Sequence, residues 1–326
     1  MYARHDAPRP VARRNLLQAP EAAVMIRPHA FRSNPETLAD NGFQRASAKA
    51  LGTLAARAKS EFDAAVTVLE SRGLTVHVFE DDGSRDTPDS VFPNNWFSTH
   101  VGGHIAIYPM HAVNRRRERR MDVIEMLKAR YRVQDVIDYS GLENDGLSLE
   151  GTGAMVLDHV GRIAYTVKSN RASPVALERF CTHFGYEPMV FDARDAQGRE
   201  VYHTNVLMCI GTEIALIGSE MIVDPARRAE IRARLAEGGR EVIDLSAAEI
   251  AGFAGNAIEL SGKSGRFLAL SRCAYDSLTN ANRKRIAACL PLAPLDVATI
   301  ELAGGSVRCM IAGIHLTPRL NPQDIL

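Results

Sequence analysis

The sequence has no excess of either charge: Lys and Arg total 39, and so do Asp and Glu. That balance leaves no global field to hold a polyanion or an anionic membrane, so neither nucleic acid nor a membrane surface is an expected partner. It also has no CxxC pair. The five cysteines, at 181, 209, 273, 289 and 309, are odd in number and lack framework spacing, so neither a metal site nor a disulfide scaffold is expected. Reduced thiols in a cytoplasm fit this usage. No apolar run approaches the length that spans a bilayer. Finally, no stretch rich in Gly, Ser or Pro divides the interior, which argues against a multidomain chain.

What is present is 326 residues with 46% hydrophobic content, enough for a sizeable core. The leader MYARHDAPRPVARRNLLQAP carries four arginines and three prolines without an apolar centre. It is not a secretory signal. Prolines at 8, 10 and 20 interrupt an amphipathic helix, which favours a poorly ordered arm over 1–20 rather than a transit peptide. A single catalytic domain over 21–326 follows.

Within that domain a pattern recurs: two short β-rich segments, a charged amphipathic helix, then a further strand. WFSTHV and HIAIYPM flank the Gly102-Gly103 turn and precede a helix through RRRERRMDVIEMLKARY and the strand VIDYS. AMVLDHVGRIAYTV, VLMCIGTEIALIG and AIELSGKSGRFLALS open three more units, with helices from Pro174, after Pro225 and from about Asn280. The last of these ends in a strand after Pro294. A helix over about Gln44 to Ser71 stands between AVMIRP and LTVHVF, and its missing partner strand is expected in VRCMIAGIHL at the opposite terminus. If these ends pair, five units with a period of about 50 residues close into a ring. An open α/β sheet is the alternative, although short turns between consecutive strands oppose a purely parallel arrangement. DDGSRDTPDSVFP, residues 81 to 93, is the most loop-like internal stretch, and loops of that length are often functional lids.

Each unit begins with a polar cluster: FPNNWF, LEGTG, YHTN, GN and AGGSVRC. In a ring the same edge of every unit faces the axis, so these clusters should converge. Taken alone, Cys309 is either a small buried hydrophobe or a placed thiolate. His203 and Glu150 are equally open to bland readings. Together they form a set in which a thiolate nucleophile, a proton-transfer partner and an orienting carboxylate are all present.

LEGTG, HTN and GGSVRC also resemble the guanidino-group-modifying superfamily of arginine deiminases, dimethylarginine hydrolases and amidinotransferases. The resemblance covers nearly the whole chain after the arm. It implies an α/β fold of the five-bladed propeller type, the pentein, closed by its terminal segments. By motif it implies Cys309 as nucleophile, His203 as general acid/base and Glu150 as the carboxylate that holds His203 and favours its charged form. RASP stands where the deiminases carry an RTTP-like stretch, which implies that Arg171 clamps a substrate α-carboxylate. The run Arg115 to Arg120 is a second candidate contact.

Two positions depart from the arginine enzymes. Where deiminases carry an Asp in a TRDP-like motif and another two residues after the histidine, this sequence has Asn95 and Asn205. A guanidinium desolvated without counter-charge costs several kcal/mol, roughly, whereas amides suit a neutral group and offer both a donor and an acceptor. A ureido substrate is therefore expected. NNWFSTH, SNPET and DNGFQ add a resemblance to the citrulline-utilisation hydrolases of the superfamily. This implies cleavage of citrulline to ornithine, ammonia and carbon dioxide through an S-carbamoyl cysteine, with no cofactor.

Competing readings are an enzyme acting on a guanidino substrate and a non-enzymatic pentein of the ribosome-associated initiation-factor kind. The balanced charge and the Cys, His and Glu set oppose the second. SGKSG at 261 to 265 is expected to be a hairpin turn, because Ala257 stands where a phosphate-binding loop needs glycine. His100, His104 and His111 are expected to be ordinary core or surface histidines. The small-molecule partner is an amino acid, and assembly into a homo-oligomer is left open.

Overall fold

The computed structural model describes residues 18–45 and 50–319. Its strands are β1 (Ala22–Pro28), β2 (Thr75–Asp81), β3 (Phe97–His100), β4 (His104–Ile107), β5 (Asp135–Asp138), β6 (Met155–Asp158), β7 (Ile163–Val167), β8 (Glu187–Phe191), β9 (Met208–Ile210), β10 (Ile214–Ile217), β11 (Glu241–Asp244), β12 (Ile258–Gly262), β13 (Gly265–Ser271), β14 (Leu292–Leu295) and β15 (Ala312–Ile314). They form five separate three-stranded sheets of one design. A central strand pairs antiparallel with a first strand and parallel with a third, as in β3-β4-β5. The parallel step needs a crossover, and α1 (Leu51–Ser71), α2 (Met121–Arg130), α3 (Pro174–Phe184), α4 (Pro225–Ala236) and α5 (Asn280–Cys289) supply one per sheet. The result is a mixed α/β fold.

One sheet is assembled from both ends of the chain. β1 pairs antiparallel with β15, Val24 opposite Ala312, and parallel with β2. The terminal pairing expected from the unmatched helix is thus present. Its register is narrower than expected, because only Ala312–Ile314 of VRCMIAGIHL is strand, and Val307–Met310 is a helical turn.

The helices begin and end where their sequences direct. In α1 the buried positions Leu54, Ala58, Phe62, Ala65, Val66 and Leu69 follow three- and four-residue spacing, which aligns one apolar face. Pro174 opens α3, and Gly185 closes it in the left-handed conformation that lacks a Cβ penalty. Asp224 accepts from the Ala226 N–H at the start of α4, and Thr279 caps α5 through the Asn282 N–H. The central strands β7 and β10 are buried throughout, as expected of strands covered on both faces. The first strands of all five sheets border one cavity, to which β3 brings Phe97, β6 Val156, β9 Met208, β12 Ile258 and β15 Ala312.

Several expectations are adjusted by packing. α1 begins at Leu51, and residues 46–49 of the expected helix lie outside the described residues. Of the expected arm, 1–17 lie outside them too, while Gln18 is buried with its amide nitrogen donating to Leu157 O and Ile210 O. Pro294 lies inside β14 rather than before it, at a sheet edge where its missing N–H leaves no ladder bond unmade. SGKSG is the turn between β12 and β13, with Gly262 opposite Gly265. The loop-like stretch 81–93 is exposed only near its start; Thr87–Pro93 are buried, with Asp81 accepting from the hydroxyls of Thr87 and Ser90. His100 stacks on Phe184 with ring centroids 4.2 Å apart, and His104 pairs with Asp135.

A buried ion pair ties neighbouring sheets together. Arg240 grips both Asp158 oxygens at 2.6 and 2.7 Å and donates from Nε to Gly211 O at 2.8 Å. Arg240→Met leaves a buried carboxylate without its partner and should destabilise the fold by about 3–5 kcal/mol. The shift in urea-denaturation midpoint measures this, and adding Asp158→Asn should recover part of the loss.

Candidate active site

The five polar clusters occupy one structural position. Each lies in the turn that leads into the first strand of a sheet: Pro93–Asn95 before β3, Gly151–Ala154 before β6, Thr204–Val206 before β9, Gly255-Asn256 before β12 and Val307–Met310 before β15. These turns pack closely against one another, which explains their glycines. A Cβ on Gly255 would stand 2.5 Å from Val206 O, and one on Gly153 would stand 2.1 Å from the Asn95 side-chain amide and 2.8 Å from His203 Nδ1.

Cys309, His203, Asn95 and Arg171 line one small cleft together with Asn41, Asp89, Phe92, Arg115, Tyr202, Ala303 and Gly305. Cys309 is buried, and its sulfur accepts from Asn205 Nδ2 at 3.2 Å and Asn256 Nδ2 at 3.3 Å. Asn205 Oδ1 is buried and finds no partner among the described residues. Asn95 directs its oxygen at the Arg115 guanidinium, accepting at 3.2 and 3.0 Å, while its nitrogen donates to Asn94 Oδ1; this orientation follows from matching donors to acceptors.

Glu150 is wholly buried behind the cleft. Its Oε2 lies 2.8 Å from His203 Nε2, 3.4 Å from Arg115 and 3.5 Å from Arg171, and Oε1 accepts from the His111 N–H at 3.1 Å. Burial alone would raise its pKa, but Arg171, the bond to His203 and Arg115 outweigh burial and hold the carboxyl well below its usual range. Glu150 is therefore an anion. His203 moves the other way from the sequence expectation. Burial and the two arginines outweigh the upward pull of Glu150, and its pKa falls to about 4, so the resting imidazole is neutral. Glu150 is hydrogen-bonded to His203, but it does not by itself keep the ring charged.

Arg171 is the second adjustment. It is buried, with Nε donating to Asp40 Oδ2 at 2.9 Å and NH2 to Asp40 Oδ1, while its guanidinium lies 4.8 Å over the Tyr202 ring. The fork assigned to a substrate carboxylate is thus closed on an internal one. Arg115, from the basic run, pairs bidentately with Glu118 at 2.9 and 3.0 Å. Arg116 and Arg119 turn instead to Glu143.

Four residues were not singled out as site residues by motif: Asp40, Asp89, Tyr202 and Asn256. Asn256 stands in the GN cluster, and Tyr202 beside His203, so convergence of the turns could have indicated both. Asp40 opens DNGFQ, a stretch marked by resemblance but without a role assigned to its Asp, and Asp89 lies in the loop-like stretch 81–93, where nothing local marks it. Asp89 accepts from Asn34 Nδ2 at 2.7 Å, yet its Oδ1 is buried without a partner, and burial raises its pKa. No cluster of three or more His, Cys, Asp or Glu side chains able to hold a metal occurs among the described residues.

The family model described as N,N dimethylarginine dimethylhydrolase, eukaryotic, matches residues 27–316. No curated protein matches the chain. Among solved structures, the substrate-bound N-terminal domain of ArgZ, an arginine dihydrolase of the ornithine-ammonia cycle in cyanobacteria, superposes with a TM-score of 0.69 at 13% identity, covering 90% of this chain and 97% of that one. AgrE in complex with ornithine and NAD+ gives 0.71 at 15% identity, with 93% of this chain covering 40% of that longer one. A dimethylarginine dimethylaminohydrolase adduct with S-methyl-L-thiocitrulline gives 0.58 at 15% identity, covering 90% and 100%. At these identities the likeness is one of fold. Because the family model spans most of the sequence, the chain belongs to the dimethylarginine dimethylhydrolase family, within the guanidino-group-modifying superfamily of pentein proteins.

Proposed function

We propose that this chain is a cysteine-dependent hydrolase that cleaves the ureido C–N bond of citrulline. The observation that carries this reading is the count of charges lining the cleft. Asp89 is the one carboxylate among the lining residues, and its unpaired oxygen suits the α-ammonium of an amino acid. Arg171 and Arg115 suit the α-carboxylate, which on binding takes the place Asp40 holds on Arg171. No second lining carboxylate then remains for a cationic side chain. The sulfur is flanked instead by the amides of Asn205 and Asn256, and the unpaired Asn205 oxygen can accept from a ureido N–H.

The chemistry is one of proton relay around a thiol. Neutral His203 accepts the Cys309 proton as the sulfur attacks the ureido carbon, and Glu150 stabilises the imidazolium so formed. The amide nitrogens of Asn205 and Asn256, which flank the sulfur, are available as donors to the developing oxyanion. The imidazolium gives its proton to the side-chain nitrogen, and ornithine leaves. Water, deprotonated by His203, then attacks the S-carbamoyl carbon, restoring the thiol and releasing carbamate, which decomposes to ammonia and carbon dioxide. None of these steps draws on a cofactor.

The five sheets are read as the blades of a closed propeller. The β1–β15 pairing and the cavity bordered by all five first strands support that reading. A single domain over 21–326 is proposed, of which 320–326, like 1–17 before it, lie outside the described residues, and the five free cysteines are consistent with a reducing cytoplasm. A guanidino substrate is the second reading; the matched family model and the arginine named for ArgZ favour it.

A substrate panel separates the two. Purified enzyme should release ornithine and ammonia from citrulline in preference to hydrolysing arginine or dimethylarginine, and Cys309→Ser should lower kcat by about 10³-fold or more. Equal ornithine release by the variant removes the nucleophile, and preference for arginine removes the ureido reading. Asn95→Asp with Asn205→Asp should lower citrulline kcat/KM about tenfold or more while improving binding of guanidinium compounds; an unchanged preference contradicts the amide argument.

The pH dependence has a definite sign. His203 binds its proton less tightly in the fold than its ordinary pKa, so the neutral base is present above about pH 4 and is lost below it. The acid limb of kcat/KM should therefore lie well below 6.5. The same shift makes the His203 contribution to stability fall as pH drops through the window from 6.5 to about 4. An acid limb at or above 6.5 would contradict the assignment.

A further inference from the structure

The cavity bordered by the five first strands contains a cation that has no counter-charge among the described residues. Arg308, next to the nucleophile in sequence, lines it and is half-buried. Its NH1 donates to Ile311 O at 3.2 Å, and no carboxylate stands within ion-pair distance of its guanidinium among the described residues. Glu259 is the carboxylate lining the same cavity, but it is committed to Arg266 and to the Thr212 N–H. A guanidinium withdrawn from bulk water with no partner is costly, and an anion that entered would relieve the cost.

Two imidazoles complete the surroundings. His159 and His315 line the cavity with ring centroids 4.2 Å apart. His159 Nδ1 shares a hydrogen bond with the Tyr186 hydroxyl at 2.7 Å, which leaves Nε2 uncommitted among the described residues. His315 Nδ1 is buried without a partner. Burial lowers both pKa values, and the positive charge of Arg308 lowers them further, as expected where cationic groups crowd an empty-handed site. Space for the centres of water-sized molecules amounts to about 50 Å³, whereas one ordered water needs about 10–15 Å³. The cavity has room for a small anion.

We propose that this cavity binds a small inorganic oxyanion, of the phosphate, sulfate or bicarbonate class, through the Arg308 guanidinium and the His159 and His315 imidazoles. The site is distinct from the cleft that holds Cys309 and yet joined to it. The Arg308 main-chain N–H donates to Asn256 Oδ1 at 3.1 Å, and Asn256 Nδ2 donates to the Cys309 sulfur at 3.3 Å. Anion occupancy therefore bears on the residue that positions the nucleophile. The proposal does not depend on which substrate the enzyme takes.

The experiment has two parts and uses the full chain. Calorimetric titration with inorganic phosphate at constant ionic strength should show saturable binding, weakened about tenfold or more in Arg308→Met and to a smaller extent in His315→Gln. Crystals soaked in selenate should show an anomalous scattering peak between Arg308, His159 and His315. If Arg308→Met fails to fold, the His315→Gln titration and the selenate position still decide. A peak only at Arg115 and Arg171, or phosphate binding unchanged in the folded variants, would overturn the proposal.

Discussion

Antiparallel pairing of Ala22–Val24 with Ala312–Ile314 is the constraint on which the site depends. Cys309 lies in the turn that enters β15, so its location is fixed only when that strand joins the sheet begun at the other end of the chain. Glu150 and His203 enter β6 and β9 through the same kind of turn, from sheets made locally. The proposed nucleophile is thus placed by a contact between residues nearly the whole sequence apart. In the proposed mechanism, forming the site and pairing the two ends of the chain are one event.

Electrostatics then divides the labour inside the cleft. Arg115 and Arg171 sit among four carboxyls, Glu150, Glu118, Asp89 and Asp40, and burial raises the pKa of Glu118 to about 7 and that of Asp89 above its ordinary value, which eases the excess of negative charge. One outcome is an ionised Glu150 that holds a neutral His203, the protonation state from which a thiol can be deprotonated. Another is that Asp40 keeps Arg171 paired, and in the proposed function a substrate carboxylate would compete for that place. The cleft as it stands has room for about one water, so the proposed reaction requires it to widen.

Much of this was legible because the repeats are local. Period-two apolar segments, proline-led helices and glycine turns recur in each unit, and a recurring unit predicts that its polar entrance recurs in space. Cys309, His203, Glu150, Asn95 and Asn205 all lie in such entrances, and Asn256 lay unclaimed in another. What escaped was set by tertiary packing. VRCM reads as strand by its β-branched and apolar residues, but the sulfur is placed by a helical turn there. Asp40 and Asp89 lie outside the repeated entrances, so only the fold reveals that one closes the Arg171 fork and the other presents a free oxygen. The charge state of His203 also escaped, because a neighbouring carboxylate is visible by motif whereas burial and two arginines are not.

The central claim is that Cys309 becomes carbamoylated by a ureido substrate. Acid quench of the enzyme during turnover of citrulline, followed by peptide mass spectrometry, tests it most directly. The account predicts a carbamoyl adduct on the peptide containing Cys309, absent from a quench without citrulline. An unmodified Cys309 during active turnover, or an amidino adduct formed from arginine with none from citrulline, would contradict it.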